Sequence, residues 1–340
     1  MEKLIANYIE YKIEQIKDKN LLKIMKNFSF NNVKSLIKND QSELYVIVIG
    51  ESANRDHMSL YGEALKTTPR FDSIRDELQI FENVRSKYCC TFKALKTILC
   101  FDEQLKNGDI VTLFKQAGFK TFWLSNQYYI ENSDNITTII SLLCGQKVFV
   151  NKAHRRTKLS SNYDGDLVEH FAKFVHDSAQ KKVIFVHLLG SHFPYANRYP
   201  REFDVFFPTQ NTKKSREVAR YNNSILYTDY ILFKILNIIK LLKINSYLLY
   251  FSDHGEDVTE DPESPHCHNE SIASPPMFRI PFIIWLSDEY KKLNENFIKN
   301  WDLNKQYNTG DVIHSIIDLS RLNCDSFNKN KSIFYENSSK

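Results

Sequence analysis

The sequence predicts an α/β fold: a mostly parallel central sheet sandwiched by helices. Three observations lead there. Short continuous apolar runs such as "LYVIVIG" have the pattern of strands buried on both faces. Segments of helical period lie between them. The alternation recurs from Leu44 onward without an internal repeat, as in sheets built from strand–helix–strand units.

The first 43 residues form an amphipathic helical extension on this reading. Leu4, Ile5, Tyr8, Ile9, Ile13 and Ile16 recur at helical spacing, with charges of both signs between them. The mixed signs favour packing on the domain; the lysines make association with a membrane surface the rival. "LYVIVIG" is the first core strand and ends at Gly50. "DIVTLFKQAGFKTFWLSNQ" is a helix stopped at Gly118, then a second strand ending at Ser125 and Asn126. "LVEHFAKFVHDSAQKKVIFVHLLGSH" repeats helix, polar turn, strand and polar tip, and "SILYTDYILFKILNIIKLLKINSYLLYFSDHGED" does so again. "FRIPFIIWLS" is a further strand. Residues 44–330 are therefore expected to form the main domain, with 331–340 a flexible tail.

Composition excludes several classes. The 340 residues suffice for a substantial core, and a net charge of +4 neither demands nor forbids an anionic partner. Nothing resembles a zinc finger, a basic arm or an aromatic RNA-binding strand pair, so nucleic acid is not an expected partner. The six cysteines are too scattered for a disulfide scaffold; Cys90 and Cys100 are the nearest non-adjacent pair, and free thiols are the preferred reading. No segment reaches the roughly 18–20 apolar residues of a membrane span, and the N-terminus lacks a signal-peptide pattern. The chain as it stands is not expected to cross a membrane by itself.

In open α/β sheets, sites lie beyond the carboxyl ends of the strands. Those ends carry Glu51 and Ser52, Ser125 and Asn126, Ser191 and His192, then Asp253, His254 and Glu256. Carboxylates and imidazoles suit zinc, and a bound dication lowers the pKa of a hydroxyl beside it. Any one of these residues alone would read as an ordinary polar tip; their shared edge makes the set a candidate centre.

The blocks "VIGES", "MSLYG", "TTPRFD", "LFKQAGFKTFWLSNQ", "VHLLGSHFPYANRYP", "YNNSILYTD", "YFSDHGED" and "PPMFRIPFIIWLS", collinear from about residue 44 to about 290, resemble the catalytic domain of bacterial phosphoethanolamine transferases. That family belongs to the alkaline phosphatase and sulfatase superfamily. The branch acting on lipopolysaccharide core sugars is the most similar, with the lipid A enzymes as relatives. The resemblance implies an alkaline phosphatase/sulfatase-like catalytic domain over 44–330. It implies a Ser52 nucleophile that takes phosphoethanolamine from a phospholipid donor and passes it to a glycan or lipopolysaccharide acceptor. It further implies zinc held by Glu51, Ser52, Asp253 and His254, one catalytic Zn with a second left open. His192 would contact the phosphate or that second metal. One more functional histidine would follow the metal loop: His266 lies nearer the expected spacing before Pro281, with His268 as its rival. Glu256 would be an accessory ligand or orient the others. Thr91 reads equally as a helix N-cap or as a phosphate contact. Asp229 is expected to cap or to pair with Arg220, and Tyr227 to pack.

Ser52 is followed by Ala53, Asn54, Arg55 and Asp56, so the C/S-x-P-x-R pattern of sulfatases with an oxidised nucleophile is missing. The membrane helices that precede this domain in the family are also missing from the chain, and most of the family's disulfides have no cysteines here. The family location is the periplasmic face of the inner membrane; a shortened cytoplasmic enzyme is the alternative. Two rival functions remain at this stage: a metal-dependent phosphodiesterase or phosphatase using water, and a relative that binds without catalysing.

Overall fold

Seven strands make the central sheet: β1 (Glu43–Gly50), β2 (Leu78–Ile80), β3 (Lys120–Ser125), β4 (Gln146–Phe149), β5 (Lys181–His187), β6 (Asn245–Ser252) and β7 (Phe282–Leu286). The structure is a computed structural model and describes residues 20–37, 41–128, 136–151, 162–259 and 267–335. The strand order is β2-β7-β6-β1-β5-β3-β4. β1 pairs in parallel with β5 and β6, and β3 with β4 and β5, while β7 is antiparallel to both neighbours. Ile49 stands opposite both His187 and Phe251, so the three central strands end together. The residues that follow them leave the sheet at one edge.

Helices cover both faces: α1 (Thr91–Leu99), α2 (Ile110–Gln116), α3 (Ile136–Ser141), α4 (Leu167–Val175), α5 (Lys213–Lys240) and α6 (Val312–Leu319). Alternation along β1 explains the two layers. Tyr45, Ile47 and Ile49 enter one core with Leu95 and Ile98 of α1, Phe114 of α2 and Ile316 of α6. Leu44, Val46 and Val48 enter the other with Leu167 and Phe171 of α4 and Ile225 and Ile235 of α5. The expected helix-sandwiched sheet is present. The sequence reading had omitted β2 and β4, each of four residues or fewer, and α6.

Local signals set the element ends. Asp109 caps α2 by accepting the Thr112 N–H, and Gly118, at φ +87°, provides the left-handed exit. Thr212 caps the 28-residue α5 by accepting from Ser215 N–H. The first half of α5 is buried despite being polar, because its side chains tether loops. The Tyr221 hydroxyl donates to Ser52 O (2.6 Å) and accepts from Asn54 N (2.8 Å). Asn222 meets His57, Asn223 accepts the Val205 and Phe206 N–H groups, and Ser224 donates to Ser191.

Some sequence-level expectations are corrected. Asp229 does not pair with Arg220, which binds Glu217; it accepts the N–H groups of Arg70 and Phe71 and so caps the short helix Pro69–Asp72. Tyr227 packs as expected, edge-on to Phe203. The 331–340 tail is ordered at its start: Ile333 and Phe334 are buried, and Phe334 stacks on Trp301 at 4.3 Å, so two apolar residues anchor it. Of the N-terminal extension, residues 20–27 are helical and Leu21, Leu22 and Met25 pack on the core; residues 1–19 lie outside the described residues. The six cysteines are free, Cys90 and Cys100 included. No helix among the described residues is long and apolar enough to cross a membrane.

His314, buried on α6, accepts the Asn328 N–H at Nδ1 (3.2 Å), which the protonated ring cannot do. Burial, reinforced by Lys331, lowers its pKa to about 4. The folded state therefore binds fewer protons than the unfolded chain between the ordinary histidine pKa and about 4. This stability is present above that ordinary value and is lost as pH falls through the window. Denaturant titrations at pH 7 and pH 4.5 are expected to show a loss on the order of 2 kcal/mol larger in the wild type than in His314→Gln. Equal losses would remove His314 from the acid response.

Candidate active site

The site begins where β1 and β6 end. Gly50 is needed at the tip of β1 because a Cβ there would lie 2.9 Å from the Tyr250 hydroxyl. Glu51 follows, pinned when its carbonyl accepts the Ser191 N–H (2.9 Å). Gly190, at φ +51°, lets the loop after β5 lie directly on this backbone; a Cβ there would come within 2.7 Å of Glu51 O. Ser52 is in the left-handed region at φ +57°, held by its N–H to Asp253 Oδ1 (3.2 Å) and its carbonyl to Tyr221. From β6, Asp253 and His254 emerge beside Glu51, and Asp253 Oδ1 also accepts the His254 N–H (2.7 Å).

Glu51, Asp253 and His254, all buried, bring one ligand atom each within 4.8 Å of one another. His254 Nε2 is 3.2 Å from Glu51 Oε1 and 3.6 Å from Asp253 Oδ2. Its Nδ1 lies 2.7 Å from Gly255 O, and a carbonyl only accepts, so Nδ1 carries a proton and Nε2 faces the carboxylates. Burial and the Glu51 charge push Asp253 up to about 7. Burial also acts against ionising Glu51, but its hydrogen bond with His254 and that ring's charge prevail and hold it below the usual carboxylate range. Burial opposes the charged form of His254, yet Asp253 and Glu51 raise it to about 10. The cluster thus demands positive charge. Asp253 Oδ2, buried, has no hydrogen-bond partner. Two carboxylates, one of them with an orphaned oxygen, and an imidazole nitrogen fit a zinc ion.

Two hydroxyls border this cluster. Thr91 is the first residue of α1, and the N-cap position belongs to Cys90, so the capping reading of Thr91 is not what the helix adopts. Its Oγ1 lies 3.1 and 3.0 Å from the Glu51 oxygens and 3.2 Å from His254 Nε2. It is half-buried, at a helix N-terminus where backbone N–H groups favour an anion. Ser52 Oγ is fully buried and donates to Glu51 Oε1 (2.8 Å).

Around this centre, His268 Nδ1 meets Glu256 Oε2 at 2.9 Å, and its ring lies 4.4 Å from that of His254. Glu256 also accepts from the Tyr195 hydroxyl (3.0 Å). The His192 and His268 rings are 6.3 Å apart. His254, Glu256 and His268 form a second group with ligand atoms in mutual reach. His266 lies outside the described residues. Ser125, Asn126 and Ser191, also at strand tips, serve the scaffold: Asn126 binds Asp164, Ser191 binds Ser224, and Ser125 accepts the Gln127 N–H.

Two neighbours escaped the sequence reading. Gln127 donates from Nε2 to Glu51 Oε2 (3.1 Å) and to Leu188 O (2.9 Å). His187 ends β5 buried, with neither ring nitrogen hydrogen-bonded, and burial lowers its pKa to about 4 against the pull of Glu51. Its signal was available: a histidine closing an apolar run. It reads as strand interior until the register sets it beside Ile49.

Fold and site together define an alkaline phosphatase/sulfatase-like domain. The chain belongs to the sulfatase family, whose family model matches residues 43–320. It is 32% identical over 307 residues to phosphoethanolamine transferase EptC of Escherichia coli K12, covering 85% of this chain and 52% of that protein. It is 31% identical over 314 residues to phosphoethanolamine transferase CptA of Salmonella typhimurium LT2, covering 86% and 53%. The chain thus spans about half the length of these curated relatives. The crystal structure of the C-terminal periplasmic domain of EptC from Escherichia coli, in complex with Zn, superposes with a TM-score of 0.84 at 29% identity, covering 92% of this chain and 91% of that one.

Proposed function

We propose that this chain is the catalytic part of a zinc-dependent phosphoethanolamine transferase. It would take the headgroup from a phospholipid and pass it to lipopolysaccharide or another surface glycan at the periplasmic face of the inner membrane. The observation behind the mechanism is the hydroxyl of Thr91 within hydrogen-bond reach of both Glu51 and His254. The names of the relatives support the group transferred, and the zinc complex of the EptC domain supports the metal.

Zinc held by Glu51, Asp253 and His254 would supply the charge that lowers the pKa of the neighbouring hydroxyl. Of the two candidates, Thr91 fits the nucleophile better than Ser52, because it touches two of these ligands and is open to solvent on one side. In the first step Thr91 Oγ1 bonds to phosphorus, the bond to the glycerol oxygen breaks, and diacylglycerol leaves with a proton. In the second, an acceptor hydroxyl oxygen bonds to phosphorus, the bond between phosphorus and Thr91 Oγ1 breaks, and the acceptor's proton passes to Thr91. Glu51 and Gln127 would orient the site, and His192 and His268 would donate to the phosphoryl oxygens or the leaving oxygen. With neither the Pro nor the Arg of the sulfatase pattern after Ser52, nothing in this scheme calls for an oxidised side chain.

The test is transfer itself. Incubated with phosphatidylethanolamine and lipopolysaccharide, the protein is expected to add phosphoethanolamine to the acceptor, read by mass spectrometry. Donor cleavage that proceeds equally without acceptor, releasing free phosphoethanolamine, would make it a phosphodiesterase instead.

A further inference from the structure

A polar cavity of about 420 Å³ lies between the segment after β1, the stretch at Val84 and Arg85, and the loop before β7. Arg55, Arg85 and Arg279 all line it. The backbone imposes their convergence: Arg85 and Arg279 form an antiparallel bridge, and the Arg55 N–H donates to Arg279 O (3.3 Å). Compensation is incomplete. Asp56 is the one carboxylate paired with this group among the described residues, 2.6 Å from Arg279 Nε and 3.8 Å from Arg55 Nε. The Arg85 guanidinium has no ion pair or hydrogen bond among the described residues and lies 6.0 Å above the Phe278 ring. The Arg55 guanidinium also donates to Glu82 O, yet three cations against one carboxylate leave net positive charge, and the Arg85 fork remains open to an oxyanion. Around them, Asn83, Gln306 and Asn308 bring carboxamides; Asn83 Nδ2 already donates to Asn304 O and Asn308 Oδ1 accepts the Gly310 N–H, which leaves the Asn83 oxygen, the Asn308 amide and Gln306 to meet sugar hydroxyls.

From this arrangement we infer that the cavity binds a saccharide bearing an anionic group, phosphate or carboxylate, and serves as a recognition subsite for the acceptor. Its walls are joined to the catalytic loops. Arg55 is close along the chain to Glu51, and the Gly255 N–H, next to His254, donates to Met277 O (2.8 Å) just before Arg279. The acceptor role rests on the transferase reading; the binding does not.

The test is isothermal titration calorimetry on the full chain with glucose 6-phosphate, glucuronate and glucose as probes. Glucose 6-phosphate is expected to bind, and Arg85→Gln and Arg279→Gln each to weaken it roughly tenfold, as for loss of a charged donor to an anion. Glu51→Gln is expected to leave this affinity within about twofold, which separates the cavity from the metal-binding centre. Glucuronate binding with the same Arg dependence would support a carboxylate-bearing ligand as the source. Three results would overturn the inference: glucose binding as tightly as its phosphate, affinity unchanged in both Arg variants, or affinity lost in Glu51→Gln but kept in the Arg variants. Because no donor or transfer step enters the measurement, these failures are distinct from a failure of the transfer assay.

Discussion

Thr91→Ala is expected to reduce transfer at least about a thousandfold, as loss of a nucleophile does when the rest of the site persists. Ser52→Ala is expected to cost far less, roughly tenfold, through the loss of its bond to Glu51 (2.8 Å). The physical difference is one of access and partners. Thr91 Oγ1 contacts both Glu51 and His254 from the first turn of α1, whereas the Ser52 side chain is wholly enclosed and its backbone is tied by Tyr221. Quenching the reaction with donor alone and mapping the modified peptide gives an independent readout. Phosphoethanolamine on the peptide containing Thr91 supports the assignment. An adduct on Ser52, or a Ser52→Ala enzyme as inactive as Thr91→Ala is predicted to be, would return the nucleophile to the strand tip.

Asp253→Asn is expected to weaken zinc binding by more than about 100-fold, since even a group that only orients a ligand contributes 10- to 100-fold. The metal-free variant should unfold no earlier than the metal-free wild type. Burial and Glu51 both act against the ionised Asp253, so removing that charge relieves repulsion while the β6 pairing stays intact. Chelator competition would give the affinity and thermal unfolding the stability. Wild-type zinc affinity in Asp253→Asn would strike this residue from the ligand set.

The sheet was legible because β1, β3, β5 and β6 are long apolar runs whose burial is written in composition alone. β2 and β4 were not, since Leu78–Ile80 and Gln146–Phe149 are too short to establish a period, and Gln146 and Lys147 are exposed. The meeting of Glu51, Asp253 and His254 could be read from strand tips, because adjacent parallel strands that end in register deliver their next residues to one place. The nucleophile's role at Ser52 rested on family resemblance; the contacts of Thr91 with Glu51 and His254 favour Thr91 for it. Chain adjacency to Glu51 set Ser52 in view, yet α1 returns across the sheet edge some forty residues later and presents Thr91 to the same carboxylate. Nothing local to "CCTFKAL" announces that return; it is a property of how α1 packs in the same core as Ile47 and Ile49. Of the two roles expected for Asp229, capping holds, at the distant start of Pro69–Asp72, while the pairing with Arg220 does not, because Arg220 is taken by Glu217.

The long helix α5 has a consequence for how this domain tolerates change. Tyr221, Asn222, Asn223 and Ser224 are consecutive, and each fastens a different piece of the site's surroundings: the Ser52 turn, His57, the stretch at Val205 and Phe206, and the Ser191 loop. Point replacements there release one fastening at a time. Inserting or deleting a single residue just upstream, between the Thr212 cap and Tyr221, would instead rotate the cap-anchored turn against this row by about 100°. Either the cap or all four fastenings would have to give way together. A one-residue length change in the first half of α5 is therefore expected to cost far more stability than any single replacement in this row.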